Sequence, residues 1–231
     1  MVYAMSDLHG CYDLYIKMLE KIKFSDEDTL YILGDIVDRG PDGIKILQDI
    51  QKRHNVFPLR GNHDYSALRI FQKIRYSREI NDFIPECIMW KLIGGEPTYK
   101  AFIALSEDEQ IKIISGLTNS LIYDELEVNG KKFHLSHSVP NKKTMLAHVS
   151  ESIPYTDYLA GTPEYDKIYF EDKYIVTGHT PTIFIGPKYD GKIYIKNNHI
   201  AIDCGTVFGR SLGCICLNDF KEYYVKDDCD N

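Results

Sequence analysis

A chain of 231 residues, 44% hydrophobic and 26% charged, is the size of one domain, or of one core with an inserted subdomain, and buries enough surface to fold without disulfide staples. A formal net charge of −7 with no Lys/Arg-rich run argues against a nucleic-acid partner, and no apolar run approaches the roughly 18 residues that would make the membrane one. The first residues lack the basic and apolar regions of a signal peptide, so a cytoplasmic location is expected. Six scattered cysteines form no CxxC pair and read as small buried apolar residues; Cys214 and Cys216 should share one face of a strand.

Residues 2–6 and 29–33 are short β-forming runs, each ending in a polar loop. Residues 56–59 are a third, which Pro58 assigns to an edge. Between them Leu14, Met18, Leu19 and Ile22 recur at helical spacing, as do Ile44, Leu47 and Ile50 after Pro41-Asp42-Gly43. This β-α-β-α-β order predicts an α/β layered core. A largely helical block follows at about 65–118, expected to cap one edge of that core. It includes a helix opened by the capping box Ser106-Glu107-Asp108-Glu109 and closed at Gly116. The rest is β-rich, with strands predicted at 121–128, Lys131–Ser136, 173–177, 192–196, 200–204 and 213–217. Asn129-Gly130 and Asp190-Gly191 are hairpin-turn dipeptides. Residues 138–171 read as a long loop. The whole is expected to be one domain spanning 1–231.

Five polar clusters stand out: Ser6-Asp7-Leu8-His9-Gly10, Gly34-Asp35-Ile36-Val37-Asp38-Arg39-Gly40, Gly61-Asn62-His63-Asp64, Ser136-His137-Ser138 and Gly178-His179-Thr180. Most follow a strand-like run, and in layered α/β folds ligand sites assemble at the carboxyl ends of strands. Carboxylate, imidazole and amide oxygen together suit a borderline divalent cation, Mn²⁺ first and then Fe or Zn²⁺. Without cysteine ligands a closed structural zinc site is disfavoured. Six candidate ligands (Asp7, His9, Asp35, Asn62, His137 and His179) are too many for one ion with an open position. They match two ions sharing a carboxylate, which can activate a water for in-line displacement. Singly, each residue fits a blander role as N-cap, turn former or core histidine. Jointly, their recurrence beside glycine at strand ends points to a site. His54, His134, His148 and His199 lack that context and read as structural or surface residues.

With these motifs in place, Asp7-x-His9-Gly10, Gly34-Asp35-x-x-Asp38-Arg39-Gly40, Gly61-Asn62-His63-Asp64, His137 and Gly178-His179-Thr180 resemble the successive motifs of the calcineurin-like metallophosphoesterases. Asp38-Arg39-Gly40, and Trp90 followed by Gly94-Gly95-Glu96, are similar to the phosphoprotein-phosphatase branch, including its small bacterial and phage-type serine/threonine phosphatases. The resemblance implies an αββα sandwich of two mixed sheets flanked by helices, with a helical insert. It implies that Asp7 and His9 bind one metal, that Asp35 bridges, and that Asn62, His137 and His179 complete the second. His63 would protonate the leaving group, Asp38 would orient His63, and Arg39, with Arg60, would grip phosphate.

The chain departs from that pattern in places. Ser6 precedes the first aspartate where glycine is usual, Asp64 replaces a glutamate, and Ser138-Val139 replaces two glycines. No arginine occurs between Ser138 and Gly178, where a second phosphate-gripping arginine is expected; Lys142, Lys143 and Arg210 are candidates to substitute. The leading expectation is a two-metal phosphomonoesterase using a metal-bridging hydroxide, with phosphorylated protein or small phosphate esters as substrates. The alternatives are a diadenosine tetraphosphatase-like nucleotide-polyphosphate hydrolase and a noncatalytic metal-binding scaffold.

Overall fold

Short β-forming runs, several of them apolar on both faces, pair into two five-stranded sheets. The computed structural model describes residues 1–77, 84–140 and 158–227. The first half runs β1 (Val2–Met5), α1 (Tyr12–Ile22), β2 (Thr29–Ile32), α2 (Gly43–Ile50), β3 (Val56–Pro58), α3 (Asn62–Tyr76), α4 (Ile84–Trp90), α5 (Glu96–Ile103) and α6 (Glu107–Asn119). The second half is β4 (Tyr123–Val128), β5 (Lys131–Ser136), β6 (Tyr174–Thr177), β7 (Tyr194–Lys196), β8 (His199–Ala201), β9 (Leu212–Cys216) and β10 (Glu222–Val225).

One sheet has the order β10-β9-β1-β2-β3 and the other β4-β5-β6-β8-β7. β1, β2 and β3 are parallel, as are β5, β6 and β8, while the remaining pairings are antiparallel. Both sheets are therefore mixed. Pro58 ends the edge strand β3, where its missing N–H removes no internal ladder bond. Beyond it, Leu59 bridges Leu121 just ahead of β4 and joins the two sheets along this edge.

The pleat decides which core each residue joins. Tyr3, Met5, Leu30, Ile32, Cys214 and Cys216 pack with Leu14, Met18, Ile46, Ile70 and Phe71 on the helical side of the first sheet. Ala4, Leu33, Ile215 and Leu217 face Phe133, Leu135, Val176 and Ile200 between the sheets. Cys214 and Cys216 thus share a face, buried as expected; Cys229 lies outside the described residues. On the other face of the second sheet, His134 and His199 are covered by aromatic rings. His134 stacks on Tyr123 and His199 on Tyr165, with centroids 5.3 and 5.0 Å apart. Among the described residues no helix is long and apolar enough to cross a membrane.

Two local expectations are corrected. Helix α6 opens on the Ser106/Glu109 capping box as predicted but runs through Gly116 to Asn119. Gly116 lies against the Gln51 side chain, whose Nε2 donates to Lys112 O at 2.9 Å, so its small size serves close packing. Asp190-Gly191 makes no hairpin; it follows a one-turn 3₁₀ helix, Pro187–Tyr189. The hairpin at this end joins β7 to β8 through Asn197 and Asn198, whose φ angles of 55° and 56° supply the left-handed turn. Asn129-Gly130 does join β4 to β5.

His199 is fully buried, with Thr177 Oγ1 2.8 Å from its Nε2, and burial lowers its pKa to about 4 from an ordinary 6.5. Between those values the unfolded chain takes up a proton that the folded one refuses, so stability should fall as pH drops from about 6.5 to about 4. The contribution is at most on the order of 3 kcal/mol. Urea unfolding over this range should show that decline. A His199→Gln variant, though less stable at pH 7, should show a shallower slope, and an unchanged slope would remove His199 from the account.

Candidate metal centre

The carboxyl ends of β1, β2, β3, β5, β6 and β8 lead into Asp7, Asp35, Asn62, His137, His179 and Asp203, so residues far apart in sequence converge. The turns that achieve this are strained. Asp7, His9, Asp35, Asp38, Arg39 and His179 all have positive φ, from 43° to 71°, a conformation that costs a non-glycine residue on the order of 1 kcal/mol. Backbone bonds between the loops after β1 and β2 hold the first five there: Asp7 N–H to Gly34 O (3.1 Å), His9 N–H to Asp35 O (2.9 Å) and Gly40 N–H to His9 O (2.9 Å). Gly34, at φ 88°, admits no side chain. A Cβ there would lie 2.5 Å from Gly61 N and 2.8 Å from His137 Nδ1.

Two groups of side chains present donor atoms within 4.8 Å of one another, His9/Asp35/His63 and Asp35/His137/His179. Asp35 belongs to both. Its Oδ2 is 3.7 Å from His9 Nε2 and its Oδ1 is 3.5 Å from His137 Nε2, while Oδ1 also accepts the His63 N–H at 3.0 Å. Burial opposes its charge, but the imidazoles of His137, His63 and His9 outweigh that and hold the carboxyl well below the usual range. Asn62 Oδ1 lies 3.1 Å from His137 Nε2. Asp7 Oδ2 accepts the His179 N–H at 3.0 Å and a short hydrogen bond from Ser6. Burial, reinforced by Asp203 and Asp35, pushes the Asp7 carboxyl up.

This donor set fits a divalent cation. His9 Nδ1 lies 3.0 Å from Val37 O and His137 Nδ1 lies 2.7 Å from Leu33 O. Each Nδ1 must carry a proton, so in the neutral ring each Nε2 turns a lone pair toward Asp35. Lone pair and carboxylate then face each other, an arrangement that a shared cation satisfies. Burial lowers the pKa of His9 and of His179 to about 4, leaving both in the neutral, ligating form at pH 7.

Beside these groups, Asp38 Oδ2 accepts from His63 Nδ1 at 2.8 Å and from Trp90 Nε1 at 2.7 Å. Burial lowers the His63 pKa, but the bond to Asp38 and the charge of Asp35 overcome it, and the net shift is upward. Arg39 spreads its fork toward both imidazoles, Nη1 at 2.9 Å from His9 Nε2 and Nη2 at 3.2 Å from His63 Nε2. The helical insert positions this set. Trp90 ends α4 and leads into a π-helical turn, Lys91–Gly95, where Gly94 at φ 117° accepts the Arg39 N–H at 2.7 Å. Thr98 Oγ1 accepts the Asp38 N–H at 2.9 Å.

Arg60 departs from its expected phosphate role. Its guanidinium donates to Leu117 O (2.7 Å), Thr118 O (2.8 Å) and Ser120 Oγ (3.1 Å). A cation there satisfies carbonyls at the end of α6 and opposes that helix's dipole. Arg210 pairs with Asp190 at 2.7 Å, and Lys142, Lys143 and His148 lie outside the described residues. Asn62 and His63 occupy the first turn of α3 rather than a loop. Asp64 makes this possible by accepting N–H bonds from Gly61 (3.0 Å), Ile36 (3.0 Å) and Val37 (3.2 Å).

Asp203 is a buried neighbour in the run Ile202-Asp203-Cys204-Gly205, which resembles the family's closing strand and repeats the pattern of strand, polar residue and glycine; none of the expected site roles falls on it. Burial and the nearby Asp35 push its carboxyl up to about 7.

The family profile of the calcineurin-like phosphoesterases matches residues 1–182. A symmetrical bis(5'-nucleosyl)-tetraphosphatase of Wigglesworthia glossinidia brevipalpis is 32% identical over 156 residues, 62% of this chain and 55% of that protein. Its Delftia acidovorans counterpart is 40% identical over 78 residues, 33% of this chain and 28% of its own length. The chain thus spans about half of the first relative and under a third of the second. Among solved structures, a candidate diadenosine tetraphosphatase superposes with a TM-score of 0.66 at 16% identity, covering 97% of this chain and 92% of its own. A Saccharomyces cerevisiae protein serine/threonine phosphatase gives 0.58 at 13%, covering 99% and 81%. At these identities the two share the fold.

Since Asp35 belongs to both donor groups, Asp35→Asn should weaken Mn²⁺ binding at two positions and His179→Ala at one, each by at least about tenfold. Calorimetric titration of metal-free protein measures this; equal single-site losses would contradict the sharing.

Proposed function

The chain belongs to the calcineurin-like phosphoesterase family, and from that premise we propose that it is a two-metal hydrolase of dinucleoside polyphosphates, cleaving a phosphoanhydride. The observation that carries the two-metal reading is the sharing of Asp35 between the two donor groups. Asp7, His9 and Asp35 would hold one cation, and Asp35, Asn62, His137 and His179 the other. A nitrogen- and oxygen-rich set without thiolates suits Mn²⁺, with Fe or Zn²⁺ as the next candidates. Bound there, the cations supply charge neutralisation and a water acidic enough to attack at neutral pH.

The protein's own groups account for the remainder. Arg39 offers a planar pair of donors to the equatorial oxygens, which carry the charge of a phosphoryl group in transfer. His63, with Nδ1 held by Asp38, presents Nε2 toward the same point and can deliver a proton to a departing oxygen. The choice of anhydride over ester is supported by the curated relatives, which carry the tetraphosphatase name. The leading expectation of a phosphoprotein monoesterase yields to the alternative for that reason. One feature favours the ester: an imidazole braced by Asp38 and Trp90 is an elaborate acid for a leaving nucleotide, which departs readily without a proton.

Comparing diadenosine tetraphosphate with a phosphoserine peptide at equal enzyme tests the choice; kcat/KM should favour the tetraphosphate by at least about tenfold, and the reverse order would restore the monoesterase. His63→Asn should lower turnover of an alkyl phosphate by on the order of a hundredfold, with less than about tenfold loss on the tetraphosphate or p-nitrophenyl phosphate. Equal losses on all three would remove His63 as the proton donor.

A further inference from the structure

Next to the metal centre lies a small groove that the hydrolytic chemistry does not use. Its walls are the loops that leave β6 and β8 at the same carboxyl ends that present His179 and Asp203. Each loop makes a single 3₁₀ turn, Thr182–Phe184 and Thr206–Phe208, and each turn ends on a phenylalanine. Phe184 is 77% exposed and Phe208 56%, yet both line the one groove, with Pro181 and Cys204 in its wall and Asp190 and Arg210 at its rim. The turns are tied together rather than loose: Thr182 donates its N–H to Asp203 O at 2.9 Å and its hydroxyl to Tyr189 O at 2.8 Å.

Two phenyl rings exposed along one groove beside a charged site offer an apolar surface to a ligand. The Arg39 guanidinium carbon sits 5.2 Å from the Phe208 ring centroid, while its Nη1 reaches His9 at 2.9 Å. The aromatic groove therefore begins one guanidinium away from the reacting phosphate. From this continuity, and resting on the polyphosphate reading above, we propose that Phe184 and Phe208 form a stacking site for a nucleobase of the substrate. Arg39 grips the phosphate of the same nucleotide at its 5' side. The Asp190–Arg210 ion pair, Nε to Oδ1 at 2.7 Å, sets a carboxylate and a guanidinium at the rim, where the polar edge of a stacked base emerges. A flat π face fits between aromatic side chains regardless of base identity, so the site selects nucleotides over bare polyphosphate more than one base over another.

The test is a ratio of affinities measured by calorimetry on the Mn²⁺-loaded protein. α,β-Methylene-ADP and methylenediphosphonate share an uncleavable P–C–P unit and differ by the nucleoside. The native protein should bind the nucleoside form about tenfold more tightly or better. Phe184→Ala and Phe208→Ala should each cut that ratio several-fold, and Phe184→Trp should keep it. A general disturbance of Arg39 or of the metals lowers both affinities together and leaves the ratio unchanged. A native ratio near one, or a ratio unmoved in both alanine variants, would overturn the proposal. Alanine variants that weaken phosphoserine-peptide binding while the nucleoside ratio stays fixed would assign the groove to peptide instead. Failure of the polyphosphatase reading shows separately, as absent turnover of diadenosine tetraphosphate.

Discussion

One buried carboxylate, that of Asp35, joins the parts of this molecule. It stands at the end of β2 in the first sheet, faces His137 from the second sheet at 3.5 Å, faces His9 from the loop after β1 at 3.7 Å, and caps the start of α3 through the His63 N–H at 3.0 Å. Burying an anion is costly unless hydrogen bonds and opposite charge surround it; the His63 N–H supplies one bond, and the two donor groups are arranged to share a cation with it. Both sheets, the strained turns and α3 must all be in register for that carboxylate to be satisfied.

The strain has a location and a cause. Six residues of the site adopt left-handed backbone conformations, five of them in two loops zipped to each other by main-chain bonds and the sixth, His179, tied through its N–H to the Asp7 carboxylate. Compact turns aim several short side chains at one point, which longer and more relaxed loops would not do. The cost, on the order of 1 kcal/mol per residue, is offset by the cores on both faces of the first sheet. The helical insert adds a second layer of constraint. Trp90 and His63 share one oxygen of Asp38, Thr98 takes its N–H, and Gly94 takes that of Arg39, so four residues of the insert and α3 fix two residues of one loop.

Much of this was legible in the chain. Asp7, Asp35, His137 and His179 each follow an apolar run and neighbour glycine or serine, and the parallel strands carry that local pattern to one end of the sheets. The less legible features depend on where side chains turn. Arg60 precedes a site motif yet reaches the end of α6, because carbonyls exposed by that helix lie within its span. Glu222–Val225, absent from the expected strands, pairs as an edge along the open side of β9. Asn197 and Asn198 turn a hairpin where Asp190-Gly191 was the stronger dipeptide, since the strands that pair lie on either side of the asparagines.

Donor identity and strand–loop alternation are local properties, so the kinds of atom at the site and their placement at strand ends could be read from the chain. The resemblance already implied that Asp35 is shared, whereas only tertiary packing brought Asp64 of α3 to the Ile36 and Val37 N–H groups and Arg60 to a helix end. The same packing decided that Phe184 and Phe208, 24 residues apart, line one groove. Those outcomes depend on distances across the two sheets, which no single segment contains.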